Sequence, residues 1–586
     1  MVNFLDRLGG SGNVGLVNWL TPIWILSVGV LLGLLACLLL WGVTWALSRI
    51  PGLGKLSDQP GAKWIGIGAI AAAIFALGYL AIPITLGLQT KDPQQSTTAA
   101  LLTWAAVSFL AGFALVHLVN ARTADSMADA VREGPLWPLF LGACGVALFA
   151  FVGLFVARTP GSLLETLVRW PQVVLSGTDT AAFEIKAPPA DFADPPVQEI
   201  PVDFRRSEIA VLRFSSDQRL RVALRPYDAS TPPEAILIVP ADEEVAWMRP
   251  KDGSSPFPDP DVKTLYVKNF GDGPAKLTLT SYLAPAYPEM TMSTVIAAAV
   301  LLIFVSYVAV RAAFPKLAAV TLATFKSETA QPLYLILLYC GMLLLVLFII
   351  IPYNTFGEDI KVLQDTGLQC ILLLAMIHGV WSAGSSVADE IEGKTALTLL
   401  SKPVSRRDFI LGKFLGIAWS TLMLCSALGT VLIVGVAYKP IYDQREGAEL
   451  EATWQLCFDE ATRTLPGVLL AFFAAVVLIS LAVAFSTRLP TLANLIVCFC
   501  IYILGNLMPA VVQSQVVAKQ FEPVVVIGRV IATVFPMFEH FNISTAISAG
   551  QDVPPVYVAT AFLYCVLYCT IAMLLGLTLF EDRDLA

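Results

Sequence analysis

Long, uninterrupted apolar stretches constrain this chain more than any other feature of its sequence. Residues 20–47, 65–88, 136–156 and 295–313 each approach or exceed the roughly 20 residues that an α-helix needs to cross about 30 Å of hydrocarbon. No water is available there to bind backbone groups, and the stretches do not alternate as the strands of a membrane barrel would. The sequence therefore predicts helices that cross a membrane several times.

Composition indicates that the main solvent of this protein is lipid. The 586 residues are 56% hydrophobic and 14% charged, and the mean hydropathy is +0.73. Soluble domains carry about 25% charged residues. We predict an all-α polytopic membrane protein with about eleven transmembrane helices. The predicted spans are 18–47, 64–89, 99–121, 135–157, 291–313, 332–352, 365–387, 409–437, 464–487, 490–512 and 555–580.

The distribution of Lys and Arg between the short loops predicts the orientation of the chain, because cytoplasmic loops are enriched in these residues. With the N-terminus outside, fifteen of them lie in the cytoplasm and eight lie in the outer short loops and the N-terminus. Eleven spans then leave the C-terminus in the cytoplasm. We expect the cytoplasmic membrane of a bacterium as the location.

A polar stretch at residues 158–290 separates the fourth and fifth predicted spans and falls outside the membrane in this orientation. Six short runs in it alternate or are rich in β-branched residues, and clusters of Pro, Gly and Asp separate them. We predict an inserted extracytoplasmic domain that resembles a β-sandwich, with an accessory or binding role. The predicted strands are 183–185, 209–214, 220–224, 235–239, 264–267 and 276–282.

Several classes of function are disfavoured by charge and by cysteine spacing. The net charge of −8 provides no basic surface for nucleic acid. Nine of the ten cysteines fall in predicted spans, where they behave as small apolar residues, and their spacing forms neither a disulfide framework nor a zinc site. We expect no metal, cofactor or catalytic residue on this chain.

The loop between the seventh and eighth predicted spans carries the most informative motif. Residues 388–413 read ADEIEGKTALTLLSKPVSRRDFILGK. This pattern resembles the cytoplasmic coupling segment of permeases of the type-2 ATP-binding-cassette (ABC-2) exporter family. The resemblance extends over about residues 315–586. It includes an elbow helix at 314–331, six spans, the outer segment FPMFEHFN at 535–542 and the ending FEDRDL at 580–585.

The physical pattern of this loop suits a docking element. Residues 388–400 can form a short amphipathic helix in which Ile391, Thr395, Thr398 and Leu399 share one face. Pro403 would end this helix, and Ser405 with Asp408 would cap the next one. An apolar stripe of this kind can enter a groove on a partner protein. The alternative is a helix that lies on the membrane surface.

Gly393-Lys394-Thr395 resembles the end of a phosphate-binding loop, but the rest of that motif is missing. The first glycine of GxxxxGK[ST] would stand at position 388, which is Ala388. The acidic side chains between Ala388 and Lys394 would also repel phosphate, and a predicted helix rather than a strand precedes them. We therefore predict no nucleotide site on this chain.

His378 is the ionisable residue that stands out inside a predicted span. Such groups are functional candidates because charge is expensive in lipid. A role as a proton relay is one interpretation, and a neutral histidine that packs against neighbouring helices is the other. Asp365, the carboxylate of the same span, lies about 20 Å away at helical rise.

The resemblance implies a permease subunit of an ABC exporter. Its partners would be a separate ABC ATPase that holds ATP and Mg, a second permease chain and the bilayer, with no nucleic acid. The expected organisation is a four-span unit at 1–157, the β-rich domain at 158–290, a connecting span at 291–313 and the exporter core at 314–586. The residues expected to couple to the ATPase are Glu390, Glu392, Gly393, Leu399, Leu400, Pro403, Arg406 and Arg407.

A second hypothesis is a membrane-anchored sensor or scaffold whose outer β domain binds a ligand or a partner. In that case the spans would only tether the domain or transmit its state. An intramembrane enzyme is a more remote possibility, because the spans contain no paired catalytic residues.

Overall fold

A computed structural model describes residues 14–50, 52–86, 93–176, 178–187, 195–205, 208–223, 236–248, 261–271, 273–351, 358–393, 404–445, 452–513 and 535–581. The chain divides into two compact units. One is built mainly from Arg158–Thr294, and the other joins Gly12–Ala157 to Val295–Ala586. We call them the β unit and the membrane unit.

Helices dominate the described chain, as the apolar runs predict. In chain order they are α1 (Val14–Ser48), α2 (Pro60–Leu86), α3 (Pro93–Leu118), α4 (Ala121–Asp125), α5 (Met127–Glu133), α6 (Leu136–Val152), α7 (Pro160–Ser176), α8 (Thr291–Ala313), α9 (Pro315–Thr329), α10 (Pro332–Ile350), α11 (Asp359–Ala383), α12 (Asp389–Glu392), α13 (Arg406–Arg445), α14 (Trp454–Ser486), α15 (Thr491–Gln513), α16 (Ser544–Ser548) and α17 (Pro555–Glu581).

Eight helical segments in the described residues are long and apolar enough to cross a membrane, and they coincide with eight of the predicted spans. Helices α2, α3 and α15 occupy the other three, and the apolar parts of them that are described with their side chains are shorter. The multi-pass helical fold is therefore confirmed, while the count of eleven spans stays a prediction. The three shorter stretches are Gly61–Leu77, Trp104–Leu118 and Thr491–Leu507.

Several helices extend beyond the predicted apolar limits, because polar residues at their ends find partners inside the protein. Helix α13 continues to Arg445 and so contains Lys439. The predicted span 409–437 places Lys439 in a loop. The side chain of Lys439 is fully buried, and its Nζ lies 2.9 Å from Asp443 Oδ1 and 3.7 Å from Asp359 Oδ2. Paired charges of this kind can be buried where a single charge cannot.

The centre of the membrane unit is formed by α11, α13 and α14. Their buried side chains belong to one large apolar cluster, to which α10 and α17 also contribute. Glycines allow neighbouring helices to approach one another closely. A Cβ at Gly379 of α11 would overlap Ile479 of α14, and a Cβ at Gly341 of α10 would lie 2.6 Å from a methyl group of Leu374. Small residues at helix contacts are typical of membrane proteins.

The N-terminal helix α1 packs on this core and on α6. The buried Trp24 donates from Nε1 to the carbonyl of Ala150 at 2.8 Å, and it lies against Gly153. Asn18 Nδ2 donates to the carbonyl of Ala452 at 2.7 Å. Gly33, which is part of a GxxxG pair, faces Val300 of α8. The N-terminal helices thus belong to the same compact unit as the exporter-like core.

The β unit contains two four-stranded antiparallel sheets, in the orders β1-β8-β3-β6 and β2-β7-β4-β5. Residues of both sheets share one apolar cluster, which includes Phe214, Trp247 and Leu265. A β-rich insertion is therefore confirmed, and the face-to-face sandwich stays a prediction. The strands are β1 (Thr178–Ile185), β2 (Gln198–Arg205), β3 (Ile209–Ser216), β4 (Leu220–Ala223), β5 (Leu237–Val239), β6 (Glu244–Met248), β7 (Asp261–Asn269) and β8 (Ala275–Leu283).

Three elements of the β unit were not predicted. Strand β2 contains Pro201, which disfavours a central strand, but β2 lies at a sheet edge where proline is tolerated. Strand β6 is only five residues long. Helix α7 is fixed by ion pairs to the strand region, with Arg169 Nε 2.9 Å from Glu208 Oε1 and Arg205 Nη1 2.7 Å from Glu165 Oε1.

The contact at Gly379 provides a test of the helix packing. We expect Gly379→Ala to destabilise the protein by about 1–3 kcal/mol, because the added methyl group overlaps the buried Ile479. The measurement is the melting temperature of the purified protein in detergent, followed by size-exclusion chromatography after heating.

Gly142→Ala is the matched control, since an added Cβ there meets nothing within 4 Å. It should leave the melting temperature unchanged or raise it slightly, because alanine favours helices more than glycine. Equal melting temperatures for the two variants would contradict the proposed packing.

Candidate coupling site

The predicted coupling residues flank a loop of which the structure describes both ends. Glu390, Glu392 and Gly393 stand at the end of α12, and Arg406 and Arg407 begin α13. Leu399, Leu400 and Pro403 lie outside the described residues. The structure therefore shows the two flanks of the site, up to Gly393 and from residue 404.

The first flank continues the seventh predicted span. Helix α11 passes through a π-helical turn at Gly384–Ala388 into α12, and the three together form one apolar helical segment, Asp359–Glu392. Residues 388–392, predicted to begin an amphipathic helix at 388–400, are instead the end of this segment, and residues 394–400 of that predicted helix lie outside the described residues. Ile391, predicted to face a partner, is buried in the core cluster because its helix continues a span that packs there.

The π-helical turn lies against the start of α15. Gly384 faces Thr491, where a Cβ would overlap the threonine side chain, and Thr491 Oγ1 donates to Asp389 Oδ1 at 2.8 Å. Single π-turns inside helices are rare and often occur at functional sites. The turn and this hydrogen bond join the end of α11 to the start of α15.

Glu390 forms an ion pair within the chain. Lys413 Nζ, on the second turn of α13, donates to Glu390 Oε1 at 2.6 Å. The Lys413 side chain is 8% exposed and that of Glu390 is 37% exposed. This pair connects the two flanks of the loop.

Arg406 is also engaged within the chain, whereas Glu392 and Arg407 are exposed. The Nη1 of Arg406 donates to the carbonyls of Phe580 at 3.3 Å and Glu581 at 2.9 Å. Arg488 Nε donates to the carbonyl of Leu579 at 2.9 Å. Cations at the last carbonyls of a helix are favoured by its dipole. The end of α17 is thereby tied to the start of α13 and to the residues that follow α14.

The second flank begins with the predicted cap. The Asp408 amide donates to Ser405 Oγ at 3.1 Å, and the Ser405 amide donates to Asp408 Oδ2 at 3.3 Å. This reciprocal pair is a capping box with aspartate in place of glutamate, and it satisfies amides that the helix leaves unpaired. The prediction that Ser405 caps the eighth-span helix is confirmed.

The predicted elbow helix is present as α9, and it packs along α13. Gly412 of α13 faces Val320, and Gly416 faces Thr324. Val320, Thr324 and Glu328 recur every four residues on the face that is buried. Glu328 was not among the residues predicted to couple to the ATPase. The four-residue spacing places it on the same helical face as Val320.

His378 is surrounded by neutral groups. Its Nε2 lies 2.9 Å from Ser420 Oγ, its Nδ1 lies 3.4 Å from Ser382 Oγ, and the ring of Tyr334 is at 5.2 Å. The imidazole is 2% exposed. These contacts satisfy a neutral histidine, as the packing interpretation requires.

The outer segment 535–542 also contacts the core. Its Phe538–Phe541 turn is helical, and the Met537 amide donates to the Tyr564 hydroxyl at 2.9 Å. A shallow cleft separates this segment from α11, α14 and α15. Asp365, Gln369 and Tyr502 are among its lining residues.

Comparison with known proteins assigns the family. No curated protein matches the chain in a sequence search. Residues 283–585, just over half of the chain, match the family described as ABC-2 family transporter protein. The match begins before residue 315, where the resemblance was expected to start, and so includes α8. With its multiple apolar helices, the chain is a multi-pass membrane permease that belongs to the ABC-2 transporter family.

Proposed function

We propose that this chain is the permease subunit of an ABC exporter in the cytoplasmic membrane. ATP hydrolysis by a separate ATPase subunit would drive the movement of a substrate that the sequence does not identify. The observation that carries the proposal is the continuous helical segment Asp359–Glu392, which leads from the core of the permease into the coupling loop. This subunit would have no ATPase activity of its own.

The continuity of this segment gives the coupling a physical basis. Its 34 residues correspond to a rod about 50 Å long. Because α11 packs closely against α13 and α14, displacement of α12 by a closing ATPase would be transmitted to the core of the membrane unit. The Glu390–Lys413 pair would carry the same displacement to α13.

The contacts within the flanks reduce the number of predicted coupling residues that can bind a partner. Of the four charged residues predicted to couple, Glu390 and Arg406 are engaged within the chain, and Glu392 and Arg407 are exposed and can orient a partner. Exposed ion pairs add little affinity. We therefore assign the anchoring role to Leu399 and Leu400 and a steering role to the two exposed charges.

The family supports a complex with two ATPases and two permease chains, identical or related. Each chain offers one principal docking segment, and a symmetric pair would present two. ATP and Mg would bind on the ATPase. The β unit would lie outside the membrane and act as an accessory or binding domain.

The proposed orientation is tested by cysteine labelling on a cysteine-free background. We expect a membrane-impermeant maleimide to label Asp217→Cys, in the β unit, in intact cells. Lys326→Cys, on the exposed side of α9, should react only after the cytoplasmic membrane is permeabilised. The opposite pattern would overturn the topology derived from the charge bias.

The docking surface is tested by copurification. Leu399→Asp should abolish binding of the ATPase, because each buried leucine contributes about 1.5–3 kcal/mol, which corresponds to roughly a tenfold to hundredfold loss of affinity. The measurement is the amount of ATPase that copurifies with the permease in mild detergent.

Lys394→Ala is the matched control, and it should leave docking and ATP hydrolysis intact because no phosphate binds at Lys394. Retention of the ATPase by Leu399→Asp at wild-type stoichiometry would refute the coupling assignment. Absence of any copurifying ATPase from the wild-type chain would instead favour the sensor hypothesis.

A further inference from the structure

A partly buried cluster of charges connects the elbow helix to both flanks of the coupling loop. Glu328 comes from α9, Glu390 from α12 and Lys413 from α13. The residue Glu328 is 1% exposed. Lys413 is in direct contact with Glu390 at 2.6 Å, and it interacts with Glu328 over a longer range.

Neutral side chains also lie around Glu328. Gln331 Nε2 donates to Glu328 Oε2 at 2.9 Å, and the Ser382 hydroxyl of α11 lies near the carboxyl group, whose buried Oε1 makes no hydrogen bond with the described residues. Ser382 also contacts the neutral His378, whose ring lies against Tyr334 of α10. Asp389 of α12 accepts from Thr491.

The charges of the cluster do not balance. Among the described residues, two carboxylates share one ammonium group, so these three side chains carry a net charge of −1 when all are ionised. Burial of an uncompensated charge is costly, and two carboxylates that share a site favour protonation of one of them. Glu328 is the more deeply buried of the two, and Lys413 is committed to Glu390. A bound proton on Glu328 would make the cluster neutral.

We propose that Glu328 is a proton-binding site at the junction of the elbow helix and the coupling loop. With the proton bound, Lys413 is held by Glu390 alone, and α12 is fixed to α13. When the proton leaves, Glu328 competes for Lys413 and loosens the Glu390 contact. The effect on ATPase coupling rests on the proposed function, whereas proton binding does not.

The electrostatics of the site agree with this assignment. Burial raises the pKa of Glu328 from 4.5 to about 7, although the nearby Ser382 hydroxyl and Lys413 lower it, while Glu390 raises it further. Since the folded protein binds this proton more tightly than the unfolded chain, protonation stabilises the fold. That stabilisation is complete below pH 4.5 and is lost as the pH rises through about 7.

Infrared spectroscopy of the purified permease tests the site without any ATPase. A protonated carboxyl group has a carbonyl band well separated from the bands of a carboxylate. We expect such a band to disappear between pH 5.5 and 8.5 in the wild type, and to be missing from the same titration of Glu328→Gln. Gln is isosteric with protonated Glu and preserves the fold. Glu539→Gln, at an exposed position, serves as the control and should retain the band.

Two further variants keep Glu328 and change its neighbours. Lys413→Gln removes the cation and should raise the midpoint of the titration, and Glu390→Gln removes the anion and should lower it. Each shift should be on the order of one pH unit. If Glu328 only stabilised the fold, these two variants would not shift the midpoint in opposite directions.

The proposal is overturned if Glu328→Gln retains the titrating band, or if the midpoint is the same in Lys413→Gln, Glu390→Gln and the wild type. Either result would leave the docking assignment intact, because the ATPase takes no part in the titration. Conversely, loss of docking in the copurification experiment bears on the exporter proposal and not on the proton site.

Discussion

The absence of water in the hydrocarbon core is the constraint on which the rest of this structure depends. It requires each crossing segment to satisfy its own backbone groups, and the chain meets it with helices. A helix that crosses the membrane is also stiff along its axis. Because α11 continues through α12, a stiff helix connects the coupling loop to the core. The helix itself satisfies the backbone groups along this connection.

A second consequence of the same constraint is that several charged side chains of the membrane unit lie beside opposite charges. Lys439 lies with Asp443 and Asp359, and Glu390 lies with Lys413. These ion pairs connect α11 and α12 to α13. The apolar contacts at Gly379 and Gly341 bring α14 and α10 close to α11. Ion pairing and close packing thus both position α11 against its neighbours.

Sequence reasoning located the helices and the cap but not the orientation of their faces. Apolar runs predict spans because length and hydropathy suffice for that purpose, and the Ser405–Asp408 pair is a local signal. Ile391 was assigned to the wrong surface because a helix face that binds a partner and one that packs on the core are equally apolar, so periodicity does not separate them. Glu328 and Lys413 were missed as a pair because their proximity depends on tertiary packing. Strand β2 was missed because Pro201 is tolerated only at an edge, and edges are not visible in a sequence.

The π-helical turn at Gly384–Ala388 makes the length of this segment as important as its composition. A π-turn accommodates about one residue more than an α-helical turn of the same rise. Because the turn already holds the extra residue, insertion of one more residue next to it would rotate everything after it by about 100°. Glu390 would then point away from Lys413, although every side chain of the ion pair would still be present. Over evolutionary time, this stretch should therefore tolerate exchanges of residue type more readily than insertions.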